Sequence, residues 1–311
     1  MRHVRLGGTG LRVSQLCLGT MTFGLQCDEP TSIAILDRAA AGGITFLDTS
    51  DAYPIGGNLG TVGRTEAIIG RWLEGRRHDF VVATKCFGAM SARPWDQGLS
   101  RKHILDAIEG SLRRLGTDYV DLYQLHHPDP STPMDETLRA LDDVVRAGKA
   151  RYVGCSNYFA YQIARALGRS EHLGLTRFDC VQPRYNLLFR QVERELFPLC
   201  AEEGLGVIAY NPIAGGLLSG KHHREAGPMP GTRFTHPTAA RDTVSATGTS
   251  ASSRPSKLSA RSPRRPACRW LSWPSRGSWR IRSSRRRSSA PAAPSSSTTP
   301  SPPSTRASTR A

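Results

Sequence analysis

The chain has 311 residues, enough for one α/β barrel with a large core, and a formal net charge of +16. A charge of that size would suggest an acidic partner such as nucleic acid, but its placement excludes that reading for the folded part. Residues 241–311 hold 15 Lys or Arg against the single acid Asp242, a surplus of +14, and the first 240 residues carry only +2.

Short apolar runs alternate with amphipathic stretches for most of the length, the pattern of a parallel sheet with crossover helices. Gly7, Gly8, Thr9 and Gly10 predict a capping hairpin, followed by a first barrel strand near 15–19. The first helix is expected over about 31–41 with Thr31 as N-cap, then strand 44–48, helix 64–74 and strand 80–84. Ser100 opens and Gly116 closes a third helix, 100–115. Strand 119–125, helix 134–147, strand 151–154 and helix 160–167 follow, then strand 179–182, helix 191–203 and strand 206–209. Seven βα units of a (β/α)₈ plan are visible in this way, with the N-terminal hairpin ahead of them. The eighth is not.

The division expected is a barrel over 1–235 and a low-complexity tail over 236–311. The last 71 residues hold 20 serines, many arginines and prolines, and no sustained apolar period, which at face value is a disordered basic tail. A sharper reading is a coding frame out of register from somewhere between about Phe234 and Asp242. A frame set one base back encodes Leu, Met or Val at every junction into Cys268, Trp270, Trp273 and Trp279. It encodes Ala or Val between Trp270 and Leu271, and Ala between Trp273 and Pro274. Apolar residues then recur at helical spacing where the printed sequence has none.

Cys17, Cys27, Cys86, Cys155, Cys180, Cys200 and Cys268 are scattered without metal-ligand or disulfide-framework spacing. Cys17, Cys86, Cys155 and Cys180 sit in or beside apolar runs, so buried free thiols are expected. The His222–His223 pair has no carboxylate or Cys at ligand spacing and reads as a solvated loop; no metal is expected. The N-terminus has no apolar leader and no run reaches membrane-spanning length, so a cytoplasmic location and no membrane partner are expected.

In a barrel of this plan functional side chains gather at the C-terminal ends of the strands. Asp48 closes the second strand, followed by Asp51 and Tyr53; Lys85 closes the third and His126 the fourth. Ser156 and Asn157 follow the fifth, Gln182 closes the sixth, and Tyr210 and Asn211 follow the seventh. Polar groups closing otherwise apolar strands are costly unless paired, and a set of them at successive ends has the composition of an active-site mouth.

The segments LGGTGLRVSQLCLGTMTFG, FLDTSDAY, VVATKC, LYQLHHPDP, GCSNY, VQPRYNLL and AYNPIAGGLLSGK together resemble the aldo-keto reductase family, in that family's order across roughly 220 residues. The resemblance implies hydride transfer from NAD(P)H to a small carbonyl substrate, with Tyr53 as general acid. It implies that Lys85, held by Asp48, lowers the Tyr53 pKa and that His126 orients the carbonyl. Only the surrounding motif separates Tyr53 from Tyr152 or Tyr158, and alignment prefers His126 to His127. By the same resemblance Ser156, Asn157 and Gln182 hold the nicotinamide carboxamide and Tyr210 stacks on the ring. Gly19, Thr20 and Met21 line the site, and the run from Asn211 and Pro212 to Lys221 cradles the pyrophosphate. NADP(H) is the expected cofactor, with NAD(H) open because the segment that selects between them falls in the tail. The Gly-rich loop 54–62 is expected to be a mobile rim. Two rivals stand beside this reading: an NADP(H)-sensing regulatory subunit of the same fold, and a nucleic-acid binder using the tail. The tail has neither a lysine-rich helix nor aromatic stacking platforms, so no specific nucleic acid is expected.

Overall fold

The computed structural model describes residues 1–222, 229–230 and 232–235, all within one compact unit, Met1–Ser256. The expected tail 236–311, and with it the proposed change of frame, lies outside the described residues. Strands β1 (His3–Arg5) and β2 (Arg12–Ser14) form the expected antiparallel hairpin, with His3 opposite Ser14. Gly7 turns its corner at φ 58°, and a Cβ there would stand 2.3 Å from the Gly206 nitrogen. Only glycine lets the hairpin come so near the last strand.

Seven parallel strands then follow in sequence order: β3 (Cys17–Gly19), β4 (Phe46–Asp48), β5 (Val81–Cys86), β6 (Val120–Leu125), β7 (Ala150–Ser156), β8 (Cys180–Gln182) and β9 (Gly206–Val207). Each pairs with the next, as a (β/α)₈ barrel requires, and among the described residues β3 and β9 are the two ends of the order. β5, VVATKC, and β6, VDLYQL, are buried on both faces along nearly their whole length, as strands covered by crossover helices must be.

The helices are α1 (Glu29–Ala41), α2 (Arg64–Leu73), α3 (Arg101–Leu115), α4 (Met134–Arg146), α5 (Ala160–Leu173) and α6 (Leu196–Glu203). Each turns an apolar stripe onto the sheet, for example Ile104, Ile108, Leu112 and Leu115 of α3. Ser100 and Gly116 cap α3 as expected. The N-cap of α1 is Asp28, whose carboxylate accepts the Thr31 amide at 2.9 Å, and not Thr31. Pro30 falls in the first turn, where a missing N–H costs nothing, so the helix begins two residues earlier than the expected start. α5 runs six residues past its expected end, to Leu173, where Gly174 caps it at φ 62°. α6 starts at Leu196, with 191–193 only a 3₁₀ turn. Had it started at 191, Pro198 would lie in its interior and break a backbone bond; from Leu196 the proline occupies the first turn.

Candidate active site

The strand ends bring the expected polar groups to one cleft of about 1110 Å³. Asp48, Tyr53, His126, Gly19, Thr20, Met21, Ser156, Asn157, Gln182, Tyr210, Asn211, Pro212 and Lys221 all line it. Lys85 does not: it lies just beneath, fully buried within β5. Its Nζ donates to Asp48 Oδ2 at 2.6 Å and to the Thr49 carbonyl at 2.8 Å, and stands 5.0 Å from the centre of the Tyr53 ring. The other Asp48 oxygen accepts from Gln124 Nε2 at 3.0 Å and Gln182 Nε2 at 2.8 Å. A carboxylate held by three donors has little freedom to turn, and it fixes the ammonium beside it.

Burial alone would depress the lysine. Asp48 and then Tyr53 oppose it, and Lys85 ends above its ordinary pKa, hence charged at neutral pH. For Tyr53 the balance differs from expectation. Burial raises the phenol, Lys85 pulls it down, Asp48 raises it again, and the net shift is upward. The cation is in place but offsets only part of the burial, so Tyr53 keeps its proton at neutral pH.

His126 follows β6. Its ring meets the Tyr53 ring edge-on at 5.6 Å, and its Nδ1 lies 3.1 Å from Ser50 Oγ. Burial, then Lys85 and His127, push it well below the ordinary histidine range, so it is neutral. His127 stacks on it at 5.2 Å and is exposed, also touching the rim.

Ser156, Asn157, Gln182 and Tyr210 form one chain along the wall. Tyr210 Oη donates to Asn157 Oδ1 at 2.8 Å. Asn157 Nδ2 donates to the His126 carbonyl at 3.0 Å and Ser156 Oγ at 3.1 Å, and Ser156 donates to the Gln182 carbonyl at 2.8 Å. Asn157 and Asn211 adopt φ 63° and 62°, conformations that cost an ordinary residue about 1–3 kcal/mol and concentrate at ligand sites. Beyond Asn211, Gly215 and Gly216 continue at φ 67° and 111°. A Cβ on Gly216 would stand 2.9 Å from Lys221 Cε, so the lysine passes directly over bare backbone. Such a left-handed run beside a cation suits a phosphate, and the volume and amide-rich wall suit a dinucleotide with room for a substrate.

Several members of the site escaped sequence reading. Gln124 holds Asp48 and was detectable as the one amide inside the apolar run VDLYQL. Ser50 touches His126 but sits unmarked between two aspartates. Arg184, inside VQPRYNLL but given no role there, and Arg233, beyond the last motif, also line the cleft. Cys17, expected as a buried thiol, is half-buried as a residue and lines the cleft, and burial raises its thiol well above the ordinary range. Cys86, Cys155 and Cys180 are buried and free. The loop 54–62 is tied to the first strand's exit by the Ile55 amide on the Met21 carbonyl at 2.8 Å. Among the described residues no helix is long and apolar enough to cross a membrane.

Comparison with known proteins places this geometry. The model of the Aldo/keto reductase family matches residues 15–271. The uncharacterized oxidoreductase YrpG of Bacillus subtilis is 45% identical over 228 residues, 71% of this chain and 69% of that protein. A probable voltage-gated potassium channel subunit beta of Oryza sativa is 42% identical over 227 residues, 71% and 67% of the two chains. Protein tas of Escherichia coli is 38% identical over 259 residues, 76% and 74%.

Proposed function

The chain belongs to the aldo/keto reductase family, and from that premise we propose that it reduces an aldehyde or ketone with hydride from NADP(H). Tyr53 is the proton donor, Lys85 and Asp48 its buried support, and His126 the group that orients the carbonyl. The observation that carries this reading is the ammonium of Lys85, held 2.6 Å from Asp48 and directly under Tyr53, at the foot of a dinucleotide-sized cleft.

A bound reduced nicotinamide supplies the hydride to the carbonyl carbon. The protein's part is to place the proton. As negative charge grows on the carbonyl oxygen, Tyr53 gives up its proton to that oxygen, and Lys85 stabilises the phenolate left behind. A positioned acid of this kind contributes about 10²–10⁴-fold. Neutral His126 can donate to the same oxygen without competing for the proton. Ser156, Asn157 and Gln182 hold the carboxamide, Tyr210 covers the ring, Gly19, Thr20 and Met21 shape the opposite wall, and the Asn211–Pro212 turn with Lys221 receives the pyrophosphate.

The potassium-channel relatives favour a second reading, in which a like barrel senses the cofactor and regulates a partner. Fluorescence titration of the 311-residue chain with NADPH and NADH, followed by turnover of small aldehydes by the parent and Tyr53→Phe, separates the two. The enzyme reading expects saturable binding, tighter for NADPH, and turnover reduced at least a hundredfold by Tyr53→Phe. Binding without turnover supports the sensor, and turnover untouched by Tyr53→Phe removes the enzyme reading.

A further inference from the structure

Directly behind His126 lies a carboxyl group that the reduction does not use. Asp51 is completely buried, and among the described residues its Oδ2 has no hydrogen-bond partner. Its Oδ1 lies 3.2 Å from Ser50 Oγ, and that same hydroxyl oxygen lies 3.1 Å from His126 Nδ1. Ser50 also receives the Ala52 amide at 3.3 Å and approaches the Lys85 carbonyl at 3.4 Å. The hydroxyl therefore has one hydrogen and three acceptors within reach, and the protonation of Asp51 decides where that hydrogen goes.

We infer that Asp51 sets, through Ser50, which ring nitrogen of His126 carries the hydrogen, so that Nε2 is a donor only while Asp51 is protonated. With Asp51 protonated, the acid donates to Ser50 Oγ and the hydroxyl hydrogen turns to His126 Nδ1. The single hydrogen of the neutral ring then resides on Nε2, the nitrogen left to meet a carbonyl oxygen. With Asp51 ionised, the carboxylate takes the hydroxyl hydrogen. Nδ1 must then carry the ring hydrogen and donate to Ser50, which leaves Nε2 a bare acceptor that repels the carbonyl oxygen. Asp51 is thus a positioning residue acting on the donor, and this role rests on the carbonyl reduction proposed above.

The surroundings place the change in a useful range. On α2, Glu66 is buried beside Asp51 but already accepts from Arg114 Nε of α3 at 2.7 Å and from Thr84, so the arginine's charge is largely spent. The thiol of Cys86 on β5 and the phenol of Tyr123 on β6 complete the shell; burial holds both above their ordinary pKa values, so neither brings a charge to Asp51. Burial and then Glu66 push Asp51 up to about 8, against a partial pull from Arg114. His126 itself faces Lys85, His127 and Tyr53. It stays neutral throughout, and Tyr53 ionises only above its ordinary range. Donor capacity is therefore present below the Asp51 transition and lost as pH rises through it.

Two readouts test this on the full chain. NMR of isotope-labelled histidine, with the His126 signal assigned by its loss in His126→Asn, reports the tautomer without any substrate. The parent should pass from the Nε2–H to the Nδ1–H form between about pH 6 and pH 9.5. Asp51→Asn, whose amide donates like the protonated acid, should hold Nε2–H across the range. Ser50→Ala should abolish the pH dependence and serves if Asp51→Asn fails to fold. In turnover, kcat/KM for carbonyl reduction should fall about tenfold over the same interval in the parent, the worth of one transition-state hydrogen bond, and show a ratio near one in Asp51→Asn. A His126 tautomer indifferent to pH in the parent, or a transition surviving in both variants, overturns the relay. A parent that shows the tautomer change but reduces no carbonyl sinks the reductase reading and leaves the relay standing.

Discussion

Lys85 is the residue whose environment is least forgiving, because everything around it presupposes its charge. Replacing it with Met fills much the same volume but leaves the Asp48 carboxylate buried against Gln124 and Gln182 with no cation. Removing one partner of a buried ion pair costs about 3–5 kcal/mol. Tyr53 would at the same time lose the one strong influence that lowers its pKa, so the phenol should rise further and turnover should drop about 10²–10⁴-fold. Cofactor titration should be affected far less, since Lys85 does not line the cleft. The expected result is thus a protein that melts lower and binds NADPH but barely turns over; loss of binding in parallel with turnover would assign Lys85 to the cofactor instead. The residues of this cluster were legible in sequence because each ends or follows a strand and stands inside a recognisable motif. What sequence could not give was the balance of forces on them. That Tyr53 sits above its ordinary pKa despite Lys85 depends on how much water burial removes, which no spacing encodes. Gln124 and Ser50 escaped for a related reason: a neutral polar side chain is informative only once its partner is known.

Elements were legible where one physical signal dominated. Ser100 and Gly116 delimit α3 unambiguously, whereas the starts of α1 and α6 turned on which residue puts a proline in the first turn, and they moved by two and five residues. The entry to α2 shows a constraint that operates between elements. Gly63 takes φ 81° at its N-cap, and a Cβ there would stand 2.5 Å from Arg114 Cδ on α3. Arg114 in turn is the partner of fully buried Glu66 on α2. Gly63→Ala should therefore do more than strain a turn. It should push Arg114 off Glu66 and leave that carboxylate without its cation, costing about 3 kcal/mol in a urea melt. A loss below about 1 kcal/mol would mean that the arginine finds another route to Glu66 and that only the local conformation matters.

At the scale of the whole molecule the open question is closure. Seven parallel strands follow one another in order, with β3 and β9 at the two ends among the described residues. Unpaired strand edges expose rows of amides and carbonyls and invite association, a liability that barrels remove by joining their edges. Residues 1–240 read as a nearly neutral α/β text, and 241–311 as a Ser- and Arg-rich text with a charge of +14. We propose that the second text is the same barrel in another frame, its helix and strand hidden by a shift near 234–242. The two versions differ in a measurable way. Restoring the frame should supply an eighth strand between β3 and β9, burying two edges and a further helix face. A gain of several kcal/mol would raise the melting temperature by about 10 °C at this domain size. Because β3 and the turn after β9 both line the cleft, NADPH should also bind more tightly. The comparison needs only the 311-residue chain and its frame-corrected form, melted with and without NADPH. If the 311-residue chain melts as cooperatively and as high, and binds NADPH equally well, then residues 236–311 are a native part of the protein. Their charge then becomes the property to explain, and salt-sensitive binding to a polyanion, lost on truncation after residue 235, would be the next measurement.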